Sequence, residues 1–331
     1  MIKAPLHTAS LPRLCLGILA CLFMSALGLS RAGNATPSAA PAYVHIVILE
    51  SATGGPYGEF SRSFRKVLAT FSPRLSAAVT VATVASIKND ALAKFDARDL
   101  LIPVGTQATE KVLQWNHKAA VLSVLVPEIT FAQLAKQAGN ETPSRPLAAI
   151  YLDQPLIRYV LLTKLIAPGM STLGVILSPV THYQGEMLAQ VARTNGLKLA
   201  TVSMRADSNN PLPALSMLLE NSSVLLALPD PVVYNRYTLP PLLLTTFRYR
   251  VPVIGFSEAF VTAGAVAAVY SRPAQIGRQA AEMLSQPLPV AGIYPRYFDV
   301  RFNAAVAQAL NLTLPSKAEA VAVLQKAGDE P

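Results

Sequence analysis

A chain of 331 residues, 52% apolar and only 14% charged, has material for one large core or two of ordinary size. Its 28 Lys and Arg against 19 Asp and Glu give a formal charge of +9, but the basic residues are scattered, so nothing in the charge pattern supports nucleic-acid binding. Both cysteines, Cys15 and Cys21, fall within the first 35 residues, which excludes a disulfide, a thiolate metal site and a cysteine nucleophile from the rest.

The chain starts like a secretory signal. Lys3 and Arg13 precede an apolar stretch over 14–29 that is interrupted by Gly17, Ser25 and Gly28, and small residues follow over 30–35. The stretch is short of the ~20 apolar residues of a membrane span, so a cleaved signal over 1–35 is expected. Residues 36–42, rich in Ala, Pro and Ser, read as a flexible lead-in. Ile18-Leu19-Ala20-Cys21 resembles a lipoprotein cleavage box, which keeps lipid attachment at Cys21 as an alternative. Cleavage removes Lys3, Arg13 and Arg31 and no acid, so the charge falls from +9 to +6.

From Tyr43 short apolar runs alternate with longer helix-like segments. The run 44–49 breaks at Gly54-Gly55-Pro56, and then Phe60, Phe64, Val67 and Leu68 recur at helical spacing with Arg62, Arg65 and Lys66 opposite. Strands are predicted over 79–84, 100–104, 120–125 and 147–152, the last ending at Asp153. After a helix over 160–166, stopped at Pro168-Gly169, a second series of strands is predicted over 173–177, 198–203, 224–228, 251–254 and 265–269. A helix over 273–284, a Pro-punctuated loop over 286–295, a strand over 297–302 and a short helix over 304–310 complete the pattern. From Ser316 onward a polar-edged helix is expected to fray. This is βα repetition in two successive units, with a crossing near 151–155, and it implies parallel sheets.

Polar residues collect where these strands stop, and in an open parallel sheet those carboxyl ends face the ligand crevice. Ser51, Thr53, Gly54 and Tyr57 follow the first strand, as hydroxyls and glycine-permitted backbone amides for an anion, or as a tight turn. Gly105, Thr106 and Gln107 follow another; Thr106 suits a helix cap or an anion contact. Asp153 closes the fifth strand. Ser178, His182, Tyr183 and Gln184 follow the first strand of the second series, and His182 has no second ligand at metal spacing. Asp230, after Pro229, suits a ligand ammonium, a helix cap or a pairing with Arg236, and Tyr234 and Asn235 lie one turn later. Phe256, Ser257, Glu258 and Tyr270 end further strands, where the aromatics either stack on a planar ligand or plug the core. Asp230 and Glu258 are the one hint of acid–base chemistry, but no Ser-His-Asp order, phosphate-binding glycine fingerprint or metal box accompanies them. No catalysis, cofactor or metal is expected.

Three stretches carry a family resemblance: Leu225-Leu226-Ala227-Leu228-Pro229-Asp230-Pro231-Val232-Val233-Tyr234-Asn235, Val251-Pro252-Val253-Ile254-Gly255-Phe256-Ser257-Glu258-Ala259-Phe260-Val261-Thr262-Ala263-Gly264-Ala265, and Ile276-Gly277-Arg278-Gln279-Ala280-Ala281-Glu282. Over 44–314 the chain resembles the substrate-binding proteins of bacterial ABC transporters, in the group related to aromatic-amino-acid binders. It departs from amino-acid-binding relatives in the loop from Glu50 to Tyr57 and at Pro229-Asp230-Pro231, which leaves the ligand open.

The resemblance implies the type 1 periplasmic binding protein fold: α/β, two Rossmann-like lobes with parallel sheets joined by a multi-strand hinge. It divides the chain into an N-terminal lobe over 43–150 with 272–292 returning to it, a C-terminal lobe over 151–271 with 293–315, and a tail over 316–331. It further implies a small polar, aromatic or anionic solute captured between the lobes, an inner-membrane ABC permease as partner, a monomer and a periplasmic location. A sensor or accessory receptor domain of the same fold, without a permease, is the alternative. A LacI-type repressor shares the fold, but the export signal and the lack of an N-terminal DNA-binding helix pair argue against it.

Overall fold

The computed structural model describes residues 43–87, 94–139, 145–205, 208 and 210–328. Two sheets of six strands organise them. The first comprises β1 (His45–Glu50), β2 (Val79–Thr83), β3 (Asp99–Val104), β4 (Ala120–Val126), β5 (Leu147–Tyr151) and β11 (Gly292–Ile293), in the order β11-β5-β4-β3-β1-β2. The second comprises β6 (Thr172–Leu177), β7 (Lys198–Ser203), β8 (Val224–Leu226), β9 (Val253–Gly255), β10 (Ala267–Tyr270) and β12 (Asp299–Phe302), in the order β12-β10-β9-β8-β6-β7. All pairings are parallel except β12 against β10. In each sheet the strand order reverses beside the first strand, at β1 and at β6, and such switch points open a crevice at the carboxyl ends.

Helices cover both faces. The first lobe carries α1 (Gly55–Phe71), α2 (Pro73–Ala77), α3 (Thr106–Gln114), α4 (Glu128–Gln137) and the returning α10 (Pro273–Met283); the second carries α5 (Leu156–Ile166), α6 (Gln184–Thr194), α7 (Leu212–Leu219), α8 (Leu239–Arg248), α9 (Glu258–Ala263), α11 (Ala304–Ala309) and α12 (Lys317–Gly328). Every residue of β3 and β4 is buried, which is why these strands, apart from Asp99 and Ser123, are apolar runs rather than alternating. Alternate residues of β1 feed two cores: Ile46 and Ile48 pack with Phe60, Phe64 and Leu68 of α1, while Val47 and Leu49 pack with Ala108 and Val112 of α3. The edge strands β2 and β7 are partly exposed and carry Thr80, Lys198 and Thr201 outward.

After β10 the chain returns to the first lobe. There α10 lies on α1 so closely that a Cβ at Gly277 would come within 2.6 Å of the Phe60 carbonyl, and Ser63 Oγ donates to the Ala274 carbonyl at 2.7 Å. Strand β11 then pairs with β5 inside the segment read from sequence as a loop; two residues are too short to show a periodicity. The chain crosses between the sheets three times, after β5, after β10 and after β11, and a buried polar network stitches the crossings together. Gln154 Nε2 donates to Ser271 Oγ at 2.8 Å, and Ser271 Oγ donates to the Tyr297 carbonyl at 2.7 Å. Arg158 donates to Gln154 Oε1 at 2.8 Å and to the Pro295 carbonyl at 2.7 Å, with its guanidinium over the Phe298 ring.

The tail corrects the sequence expectation. Instead of fraying, α12 buries Ala320 and Leu324 completely in the core cluster of α5 and β12, and Lys317 pairs with Asp299 at 2.8 Å. Its fully buried face is Ala320 and Leu324, with Val321 packed alongside, too narrow to stand out against its polar flanks in the sequence. The leader, the lipoprotein box and the lead-in over 36–42 lie outside the described residues.

Candidate functional site

A cavity of about 170 Å³ lies at the hinge, between the carboxyl ends of the two sheets. Pro127, Leu152 and Asp153 wall it from strand ends of the first sheet and the first crossing, while Pro229, Phe256, Ser257 and Tyr270 wall it from strand ends of the second. A β-bulge between Val124 and Val126, with Leu125 at φ 52°, ends β4 one residue before Pro127. Such a bulge re-aims the chain, here into the hinge.

Asp153 is the acidic centre of this region. It is 7% exposed, and one carboxylate oxygen accepts the backbone amide of Glu128, first residue of α4, at 2.7 Å. Its pKa is raised to about 6, chiefly by burial and also by the nearby Glu128 charge, against the opposing effect of that hydrogen bond. Tyrosines surround the pair. Tyr294 donates its hydroxyl to Glu128 Oε2 at 2.7 Å and meets Tyr151 edge-on at 5.6 Å. Tyr183, at the start of α6 in the second lobe, has its phenol pKa raised by burial and by the fields of Glu128 and Asp153. Gln184 Nε2 donates to its hydroxyl at 2.9 Å.

The rim of the first lobe is built by close approach. Gly105, at φ 91°, precedes α3 directly, and a Cβ there would lie 2.7 Å from both Ser51 Oγ and the Tyr57 ring. Ser51 Oγ accepts the Ala108 amide at 3.0 Å and donates to the Val104 carbonyl at 2.8 Å. It therefore supplies the cap that the sequence suggested for Thr106, which is instead the first residue of the helix. Gly54 and Gly55 both take positive φ, and Thr53, Thr106 and Gln107 stand exposed around them.

In the second lobe the structure separates the candidates. Phe256, Ser257 and Tyr270 reach the hinge cavity, and Ser257 also caps α9. Asp230 is 1% exposed and fully engaged within the lobe: one oxygen accepts the amides of Val232 and Val233, the other the Thr181 hydroxyl at 2.7 Å. It ties the loops after β6 and β8 together and presents no free oxygen to a cleft. Ser178 is likewise turned inward, accepting the Val180 amide at 3.0 Å. Tyr234 belongs to the aromatic core with Phe260 and Phe256, and Asn235 caps the turn at Tyr237 and Thr238. Glu258 pairs with Arg301 on the exposed surface. His182 is exposed, and among the described residues no His, Cys, Asp or Glu group is placed to hold a metal.

Sequence reasoning missed Glu128, Tyr151, Tyr159 and Tyr294. Glu128 follows a strand end just as the chosen candidates do, so the same rule finds it. Tyr294 lies in a loop without any pattern, and only the third crossing brings it to Glu128.

A family model described as ABC transporter substrate binding protein matches residues 75–322. Solved structures share the fold. The substrate binding protein CD0873 of Clostridium difficile, described as ligand-free, open and with adhesive properties, is 18% identical, with 82% of this chain and 96% of that chain covered at a TM-score of 0.62. The ABC domain in complex with L-Trp from Streptococcus pneumonia is 16% identical, covering 83% and 96% at 0.55. A conserved domain protein of Vibrio cholerae is 19% identical, covering 84% and 97% at 0.55. No curated protein matches the sequence. At these identities the solved structures establish the two-lobed type 1 periplasmic binding protein fold.

Proposed function

This chain belongs to the family of ABC transporter substrate binding proteins, and we propose that it captures a small aromatic zwitterion, of the amino-acid type, between its lobes for an ABC importer. The observation that carries the solute class is Asp153, a carboxylate buried at the hinge beside Glu128 and facing aromatic walls. An uncompensated buried carboxylate is costly, and a ligand ammonium removes that cost through a charge-assisted hydrogen bond. Phe256, Tyr270 and Tyr159 line the same cavity and offer ring faces and edges to a planar side chain.

The opposite pole of the ligand is assigned to the rim of the first lobe. Ser51 and Tyr57, in one loop with Thr53 and Gly54, pack against the N-terminus of α3 at Gly105, Thr106 and Gln107, where the helix dipole favours an anion. A ligand that touches both lobes favours the closed state by its differential affinity. The similar Streptococcus chain holds L-Trp, a solute with this distribution of charge and ring. Binding without turnover, export through the leader over 1–35 and delivery to a membrane permease complete the proposal. Asp230, Tyr234, Asn235, Ser178 and Glu258 are left out of the contact set because their polar groups or rings are engaged within the second lobe or at its surface.

Calorimetry of the full chain with L-Trp, L-Tyr and L-Phe, and with the deaminated acids of each, tests this directly. At least one amino acid binds and its deaminated analogue binds far more weakly. Asp153→Asn weakens the amino acid by about 1.5–3 kcal/mol and leaves the weak binding of the acid unchanged. Equal affinity of wild type and Asp153→Asn, or no binding of any of the three at millimolar concentration, overturns the assignment.

A further inference from the structure

The second lobe has a helix face that its own core does not use. On its inner side α8 buries Leu242, Leu243 and Thr246, the leucines in the cluster that holds Leu225 and Val253. The outer side of such a helix is ordinarily polar. Here Pro240, Leu244 and Phe247 are exposed instead, Leu244 by 53% and Phe247 by 45%. Spaced by four and three, they form one stripe along the helix, and Tyr237, 72% exposed, continues it. The neighbouring α7 contains no charged residue and turns Pro213 and Met217 outward.

Cations frame this stripe. Arg236, Arg248 and Arg250 are exposed, and no Asp or Glu occurs between Asp230 and Glu258; among the described residues the carboxylate next to α7 is Glu220, beyond the end of that helix, while Asp207 lies outside the described residues. The Arg236 guanidinium lies over the Tyr237 ring at 4.6 Å. Arg250 sits at φ 58°, where α8 ends with the Val251 amide on the Thr246 carbonyl and the Arg250 amide on the Phe247 carbonyl. That left-handed position usually holds glycine or asparagine, so an exposed arginine there retains its charge against a backbone preference.

We propose that the outward face of α7 and α8 docks on an anionic lipid bilayer. Apolar and tyrosine side chains enter the headgroup boundary while the arginines meet lipid phosphates, the pattern of helices that lie in a membrane surface. A helix of ten residues is about 15 Å long and lies flat rather than spanning. A second copy of the chain is the poorer occupant, because a two-fold contact sets the three arginines of each copy against one another with no facing acid. The surface is separate from the hinge cavity, so docking leaves the cleft free.

Cosedimentation of the full chain with sucrose-loaded vesicles, phosphatidylglycerol with phosphatidylcholine against phosphatidylcholine alone, is combined with hydrogen–deuterium exchange. The anionic vesicles slow exchange over 239–250, and neutral vesicles do not. Leu244→Glu with Phe247→Glu, and separately Arg248→Gln with Arg250→Gln, lower the bound fraction on anionic vesicles at least tenfold while the thermal melt stays within a few degrees of wild type. Unchanged exchange over 239–250 on anionic vesicles overturns the proposal even when the N-terminal segment carries the chain to lipid. Protection of the same segment that rises with protein concentration in the absence of lipid assigns the face to a second copy, and protection only by a protein partner assigns it to that protein; either result overturns it too.

Discussion

The backbone amide of Glu128 donates to the Asp153 carboxylate at 2.7 Å, joining the start of α4 to the first hinge crossing. This bond holds a buried acid where the two lobes meet, and it gives the protein a pH response that can be worked out with its sign.

Burial raises Asp153 from 3.8 to about 6, so between those values the folded chain holds a proton that the unfolded chain has released. Stability from this group is present below that window and is lost as pH rises through it. His117 works in the opposite sense. Burial and then the Arg145 charge lower it from 6.5 to about 4, so its contribution is present above that window and lost as pH falls. The two slopes oppose each other, and the wild-type melting temperature changes little from these groups between pH 4 and 6. In Asp153→Asn the melting temperature drops toward acid, and at pH 7.5 the variant gains up to about 3 kcal/mol by losing the buried charge. In His117→Gln it drops toward neutrality. Melts at half-unit pH steps read all three profiles.

Ligand affinity follows from the same group. An ammonium ligand pairs with ionised Asp153, so its affinity decreases about tenfold for each pH unit below 6. Titration of an amino acid at pH 7, 6, 5 and 4.5 measures the slope; a flat profile removes Asp153 from the contact.

Asp230→Ala is expected to act on the fold alone. It strands the Val232 and Val233 amides and the Thr181 hydroxyl inside the second lobe, at a cost of about 2–4 kcal/mol. Urea unfolding shows the loss, and ligand affinity at a temperature where the variant is folded stays within a factor of two or three.

Gly105→Ala introduces a methyl against Ser51 Oγ and Tyr57 in a left-handed backbone, with a loss of about 1–3 kcal/mol. Because Ser51 also caps α3, the substitution disturbs as well the rim of the first lobe to which the ligand's anionic pole is assigned in the proposal. Binding of a carboxylate ligand weakens while the thermal response to the deamination of the ligand, read at Asp153, is retained.

Gln154→Leu breaks the hinge network by removing the acceptor of Arg158 and the donor to Ser271, at a cost of about 2–4 kcal/mol. Exchange of hinge amides near Ser271 and Tyr297 accelerates more than that of β3 or β6. Uniform acceleration throughout both sheets assigns the network a purely global role.

The βα order and the two sheets were legible in the sequence because they depend on local pattern: apolar runs such as 100–104 and 147–152, helical spacing at Phe60, Phe64 and Leu68, and breaks at Gly and Pro. What each polar residue does at a strand end was not legible, because that depends on who else arrives there. Asp230 and Asp153 both follow an apolar run. Thr181, 49 residues away, and two local amides occupy the first; the second is met by backbone amides, that of Glu128 among them, and keeps a raised pKa. Ser51 takes over the cap of α3 from 57 residues away, and Leu324 of the tail finds a core formed by α5 and β12. Backbone pattern is written in neighbours along the chain, whereas burial and partner choice are set by crossovers that bring distant segments together, and only the tertiary structure decides them.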